Sequence, residues 1–545
     1  MPRLANDFDV IVIGGGPNGL TCAAYLAKAG ARTLVLEKKF ETGGGLYTDD
    51  YGTPFRFNIH ATYMMLAELL PAHRDFDLPA RDVAYIRPEV QFAFVYRDGK
   101  ALVLYTDPKK SAEAIRRLSP SDGDAFERMY ADFKELSEEF IIPATYVPPM
   151  PALDQAELLG RTELGRKVLD LSELSPVQIV DRYGFQDPRV KAAILHLATM
   201  WGVPLESGGV GYLVPLYVYR MLNAALVRGG SHSLSSALHS ALVTNGGKVL
   251  DWAEVARIVV EGDEARGVVL TDGREFTARA LVSTLDPPTT FLSLTGRENV
   301  PEDLARAAEM WEWEAWSLFI SHWGVRGEPP MYRAADFNPD VNRALVNTIG
   351  VESPEDLLAH VGELAAGRTF EPAGNVTCTS YHDPLQASAG PYGPLHTVRW
   401  ECWAPYELAD GDWDGFKKTY ADRCLAKLEE YAPNLGESKH LFNFVDSPKD
   451  IERRLVTMKH GSIKHGAYSA LQMGNFRPND LCSSNRTPVK GLYVGGASTY
   501  PGGMVILGPG YNAARAVTQD LGLSQWWSPP DYVVSAQEKG YLPKA

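Results

Sequence analysis

Apolar and polar positions along this chain follow two different periods, and the first forty residues contain the switch between them. Phe8-Asp-Val-Ile-Val-Ile13 is a short run rich in β-branched residues, and Gly14-Gly-Gly-Pro-Asn-Gly19 is a turn. Leu20 to Ala29 is an Ala-rich helix, and Arg32-Thr-Leu-Val-Leu36 is a second strand ending at Glu37. The unit reads βαβ, the seed of an α/β fold. In the middle of the chain, Gly229-Gly-Ser-His-Ser-Leu234 leads into a helix through Val243, and Asn245-Gly-Gly247 turns into a strand, Val249 to Trp252. Val255 to Glu261 and Arg266 to Thr271 alternate as hairpin strands, and alternation resumes at Ala280 to Thr284. The segments at about 75–225 and 295–485 are mixed in pattern and rich in Pro and aromatic residues. The most continuous apolar stretch, Val210 to Val227, carries Pro215, Arg220 and Asn223; spanning a bilayer would place a guanidinium in hydrocarbon, so a buried helix is expected there.

The turn after the first strand carries the first chemistry. Gly14 and Gly16 let backbone N–H groups approach a pyrophosphate, Gly19 lets the helix pack close to the strand, and the helix N-terminus, opened by Pro17 and Asn18, supplies partial positive charge. Glu37, at the end of the second strand, is placed to accept hydrogen bonds from a ribose diol. In a chain with 49 glycines the G-x-G-x-x-G pattern alone is weak, and the strand, helix, second strand and terminal acid together make it specific. Gly508-Pro-Gly-Tyr-Asn-Ala513 fits the looser pattern, but no strand with a terminal acid follows it. It reads instead as a turn into a helix, Tyr511 to Leu521, with its N-terminus free to face a cofactor. One dinucleotide therefore has a fold of its own and a second, such as NAD, has none. The expected architecture is a discontinuous Rossmann-like domain built from residues 5–75, 225–295 and 486–525. An inserted mixed α+β substrate domain comprises 76–224 and 296–485, and a C-terminal tail covers 526–545.

Composition narrows the partners. The 545 residues hold 53 Lys+Arg against 68 Asp+Glu, a formal charge of −15, with no basic run; this excludes a nucleic-acid groove or a polybasic membrane patch. Five scattered cysteines, an odd number, fit neither a disulfide framework nor a zinc site and point to a reducing, cytoplasmic setting. The opening segment, Met1 to Asp9, lacks a signal-peptide core.

Three separated blocks, in order, resemble the phytoene-desaturase-like flavin oxidoreductases of the wider amine oxidase group. They are Glu37-Lys-Lys-Phe-Glu-Thr-Gly-Gly-Gly-Leu-Tyr-Thr48, Gly229 to Leu238 with Gly246-Gly-Lys-Val249 and Val282-Ser-Thr-Leu-Asp-Pro287, and Arg486 to Val505. The resemblance implies FAD. Gly14, Gly16 and Gly19 would cradle the pyrophosphate, Glu37 the adenosine ribose, Gly44 and Gly45 the pyrophosphate from the far side, and the Val255 backbone the adenine edge. Gly495, Gly496, Gly503, Met504 and Val505 would lie against the ribityl chain and the isoalloxazine. The family usually has Arg after the Gly-Gly doublet; here the position is Leu46, with Lys38 or Lys39 as the candidate replacement or as a solvated turn.

Flavin oxidation asks the protein to hold a substrate C–H about 3–3.5 Å from N5 and to exclude water. His60 is a candidate base, with a packing role as the other reading. Tyr500, between the glycine pairs Gly495-Gly496 and Gly502-Gly503, is a candidate substrate contact or a core aromatic. His465, Trp403 and Tyr406 are candidate substrate residues, with a role at the surface or behind the site as the other reading. Phe140 to Pro151 reads as the mouth of an apolar channel or as a packed loop. Trp526-Trp527 reads as a peripheral membrane or subunit contact, the latter in an oligomer, or as a docked tail. The expected activity is dehydrogenation or desaturation of a hydrophobic, isoprenoid or alicyclic substrate, forming C=C, with oxygen, a quinone or a protein carrier as electron acceptor. Amine oxidation on the same scaffold, saturation or isomerisation of a double bond, and a flavin-containing interaction protein with little turnover are the alternatives.

Overall fold

The computed structural model describes residues 7–387 and 393–544; Met1–Asn6, most of the opening segment considered above, lie outside them. Two seven-stranded sheets organise the chain. In the first, the strand order is Lys248–Leu250, Thr33–Leu36, Phe8–Ile13, Glu275–Ser283, Glu264–Leu270, Val255–Glu261, with Leu492–Val494 also paired to Glu275–Ser283. The five strands around Phe8–Ile13 are parallel, with Val12 opposite Val35 and Val282, and the last two form an antiparallel hairpin. Parallel strands are covered on both faces, which is why their sequences are apolar at every position. Here the period of two sorts them: Val10 and Val12 pack with helices Pro17–Lys28 and His232–Thr244, while Ile11 and Ile13 pack with Phe291 and Leu304 on the other side.

The second sheet runs Lys439–Asp446, Ser317–Arg326, Leu395–Ala404, Gly374–Thr377, Val346–Ile349, Val90–Val95, Ala101–Tyr105, antiparallel except where Val346–Ile349 lies parallel to Val90–Val95. Phe92 and Phe94 face the large helical core, and Ala93 and Val95 face the core shared with helix Trp413–Tyr431.

Two expected elements differ in detail. The apolar stretch 210–227 is a buried helix only over Leu213–Met221. Asn223 Nδ2 then donates to Tyr219 O at 2.9 Å, and the chain leaves the helix as strand Ala224–Val227. Phe140 to Pro151 begins as helix: Pro120–Leu136 continues through a π turn, Ser137–Ile141, into Ile142–Ala144. The wider turn accommodates Pro143, which lacks the N–H a regular α turn would use. In the tail, Trp526 stacks on Tyr25 at 5.5 Å under Lys28, and Trp527 is buried against Tyr25 and Tyr511. Among the described residues no helix is long and apolar enough to cross a membrane.

Candidate active site

The strand Phe8–Ile13 ends at a turn whose glycines are needed for three different reasons. At Gly14, φ is +101°, and a Cβ there would meet Thr284 Oγ1 at 2.4 Å, the hydroxyl that donates to Ile13 O. At Gly19 a Cβ would sit 2.0 Å from Gly14 O, so the helix rests directly on the turn. At Gly16 the Cβ direction is open: the nearest atom is Gly44 Cα at 4.0 Å. At Gly44 a Cβ would stand 3.0 Å from Gly16 Cα, so the two glycines let their backbones pack against each other at the edge of the cleft. Gly16 is also the N-cap of Pro17–Lys28 and makes no side-chain cap, so the positive end of that 12-residue helix lies at the cleft that Gly16, Pro17 and Asn18 line. The Glu37 carboxylate accepts from Gly15 N at 2.8 Å and from Lys39 N at 2.9 Å, tying the second strand to the turn.

These groups line a cleft of about 1580 Å³, its open mouth included. Gly14, Gly16, Pro17, Asn18 and Gly19 form one wall, and Glu37, Lys38, Gly44 and Gly45 another. Val255 lies at one end, and Gly496, Gly503, Met504 and Val505 form the floor. That floor is held in unusual backbone: Met504, Val505 and Leu507 have φ of +69°, +55° and +57°. Non-glycine residues in this region cost about 1–3 kcal/mol each, a cost that persists where surrounding structure over-determines a functional surface. Gly495 stands behind the floor, where a Cβ would meet Ala513 Cβ at 2.7 Å, and serves close packing of strand on helix.

Basic groups line the cleft that the glycine turn opens. Lys38 pairs with Glu254 at 2.7 Å. Lys39 also lines the cleft, its ammonium pushed down by burial and by the neighbouring Arg454. Arg454 lines it from helix Pro448–Arg454, held by two bonds to Asp446 at 2.6 and 2.7 Å. Leu46, by contrast, is fully buried in the core. Arg454 was not signalled by sequence spacing, since 408 residues separate it from Leu46.

A second cavity, about 1240 Å³ with its opening to solvent included, adjoins the first: Gly503 and Met504 line both. Its walls are largely apolar and aromatic, with Phe140, Tyr212, Tyr217, Tyr468 and Tyr500 prominent. Tyr500 donates to Ala144 O at 2.9 Å, which joins the segment after residue 140 to the cleft floor, and Gly503 N donates to the Tyr468 hydroxyl at 2.9 Å. Beneath this junction, Lys464 and Glu314 form a buried ion pair at 3.2 Å. Burial pushes the Glu314 carboxyl up, but the Lys464 ammonium and the Ser462 hydroxyl outweigh it and hold it below its ordinary value. Arg477, wholly buried, donates to the carbonyls of Lys464, Ala467, Gln472 and Ala497, fixing the loop that carries His465 against the floor. His465 lines the cleft, and burial lowers its pKa to about 4.

The remaining candidates lie elsewhere. His60 lines neither cavity; burial and then Arg454, Arg399 and Lys39 hold it well below its ordinary pKa, so it is a neutral ring. Trp403 is buried, donating to Met200 O at 2.9 Å and packing on His196 and His360. Tyr406 is bonded to Glu452 and stacked on His460.

The cleft fits a dinucleotide bearing a flat ring. Gly16 and Gly44 let two backbones approach closely at its edge, an uncapped helix terminus and the cationic side chains of Lys38, Lys39, Arg453 and Arg454 line it with charge that suits a diphosphate, and Gly503, Met504 and Val505 form the floor a planar ring would lie against. Comparisons with known proteins agree. A family model described as flavin containing amine oxidoreductase matches residues 18–315. One of the subunits of limonene dehydrogenase from Castellaniella defragrans is 45% identical over 98% of both chains. A lycopene-forming phytoene desaturase of a Paracoccus species is 27% identical over 94% of this chain and 97% of its own. Among solved structures, an oxidoreductase from Methanosarcina mazei superposes with a TM-score of 0.58 at 16% identity, covering 94% of this chain and 100% of that one.

Proposed function

This chain belongs to the flavin containing amine oxidoreductase family and is an FAD-dependent oxidoreductase; from that premise we propose that it dehydrogenates a hydrophobic, alicyclic or isoprenoid substrate to form a C=C bond. The observation that carries this reading is the apolar aromatic cavity that opens onto the cofactor cleft at Gly503 and Met504. A bound FAD supplies two-electron oxidation by accepting hydride from a substrate C–H. The chain's own part is placement. Tyr212, Tyr217, Tyr468 and Tyr500 form a slot that grips an apolar body and excludes water, and the Tyr468 and Tyr500 hydroxyls lock the slot to the floor through Gly503 N and Ala144 O. Gly14, Gly16, Glu37, Gly44, Lys39 and Arg454, which line the cleft, would hold the diphosphate and ribose end.

The names of the two relatives support the substrate class, a cyclic or an extended isoprenoid in each. Amine oxidation is the weaker reading. Among the described residues, the one charged side chain lining the second cavity is Arg220, which repels an ammonium. The electron acceptor in this proposal is oxygen, a quinone or a protein carrier. Anaerobic mixing of the yellow holoenzyme with cyclic and acyclic isoprenoids is expected to bleach the flavin absorbance, whereas primary amines and NADH leave it nearly unchanged on the same timescale. Bleaching by amines alone, or rapid stoichiometric reduction by NADH, overturns the proposal.

A further inference from the structure

Helix Leu213–Met221 presents Leu213, Leu216, Tyr217 and Arg220 to the second cavity. Their spacing of three, four and seven residues is one helical face, roughly 10 Å long. The last member is a permanently charged guanidinium on a residue only 4% exposed. It makes no hydrogen bond or ion pair with any described residue, and its Nε is sealed without an acceptor. What surrounds it is phenolic: Tyr146, Tyr217, Tyr468 and Tyr532.

Among the described residues the two other buried guanidiniums are compensated. Arg399 has Glu401 at 2.8 Å, and Arg477 has four backbone carbonyls. Arg220 alone among these three lines either cavity, and among the described residues no carboxylate lines the cavity it faces. The hydroxyls of Tyr212 and Tyr217, on the same wall, also make no hydrogen bond to a described residue. A buried charge without a counter-ion is expensive, so its retention at a cavity wall signals that the counter-ion arrives with the ligand.

We propose that the ligand of this cavity is an apolar molecule carrying a single carboxylate, which the Arg220 fork binds through both oxygens while the hydrocarbon body fills the aromatic slot leading to Gly503 and Met504. A planar guanidinium matches a carboxylate bidentately, and the low-dielectric wall strengthens the pair. A bare hydrocarbon leaves the charge dry and unpaired, and an amine is repelled. The free phenols at Tyr212 and Tyr217 add donors to the same anion. The inference rests on the proposed function, for which this cavity is the substrate site.

The test is calorimetric titration of the FAD-loaded protein with 4-isopropylbenzoate and with its uncharged isostere 4-isopropylbenzamide, on the wild type, Arg220→Met and Arg220→Lys. Flavin content is read from absorbance before each titration. The wild type is expected to bind the benzoate about tenfold or more tighter than the amide. Arg220→Met is expected to lose that preference while keeping its flavin, and Arg220→Lys to keep part of it, because charge remains without the fork. Equal affinity for acid and amide in the wild type, no detectable binding of the acid, or an unchanged preference in Arg220→Met overturns the carboxylate assignment. If Arg220→Met does not fold, the wild-type comparison decides alone. A protein that refuses FAD would instead overturn the proposed function, so the two failures read differently.

Discussion

Gly16 and Gly19 lie three residues apart in one turn, yet substitution separates their roles. A side chain at Gly19 must enter the space of Gly14 O, 2.0 Å from its Cβ, so Gly19→Val is expected to damage the fold itself. At Gly16 a Cβ meets nothing closer than Gly44 Cα at 4.0 Å, and the γ-carbons of a valine project into the cleft that Gly16 lines, where the diphosphate is proposed to lie. Gly16→Val is therefore expected to fold with wild-type circular dichroism and to bind FAD about tenfold or more weakly; a variant purified with full flavin would refute the cradle. His60 gives a second test at this scale. It is neutral and lines neither cavity, so His60→Gln is expected to change kcat by less than about threefold, under 1 kcal/mol of barrier, in steady-state assays. The glycine turn was legible in sequence because its function is local. Arg454 and Arg220 were not, since what makes each notable is a distant neighbour or the lack of one.

Among elements, the segment 460–466 is held by charge. Lys464 and Glu314 meet in the core beside the cleft floor, and Lys464 also donates to Trp201 O at 2.5 Å. Glu314→Gln leaves that ammonium buried without its carboxylate. The expected loss is about 3–5 kcal/mol in urea denaturation, with most of it recovered by adding Lys464→Met, which removes the orphaned charge. An unchanged midpoint in the single variant would show the pair to be solvated. Helices and strands with a clean period read correctly from sequence: Pro17–Lys28, His232–Thr244 and Val255–Glu261 lie close to the segments expected. The π turn at Ser137–Ile141 did not, because Pro143, two residues on, reads as a break unless the partners packed around the turn are known. The pairing of Val346–Ile349 with Val90–Val95 was equally hidden, since about 250 residues separate strands that only the fold brings together.

Over the whole molecule, acidity is the weak direction. His196 and His360 both pack against Trp403, each held at a pKa of about 4 mainly by burial. Below pH 6.5 the unfolded chain binds protons on both rings that the folded chain refuses until about 4. Stability from these groups is therefore complete above 6.5 and falls as pH drops through that window, by up to about 3 kcal/mol per ring. The apparent Tm is expected to fall steadily from pH 6.5 to 4.5, and His196→Gln, which keeps a bond to Asn375, to fall less steeply; equal slopes would remove these rings from the account. The amino-acid order by itself determined the βαβ turn, the run of flavin-family motifs and the acidic balance, because each depends on neighbours in sequence or on simple counts. Only the tertiary structure decided that the cofactor cleft and an aromatic cavity meet at Gly503 and Met504, that Lys39 and Arg454 line the cleft while Leu46 is buried, and that Arg220 stands charged and unpaired in the cavity wall. These depend on burial and proximity between segments hundreds of residues apart, which close packing sets and local periodicity does not encode.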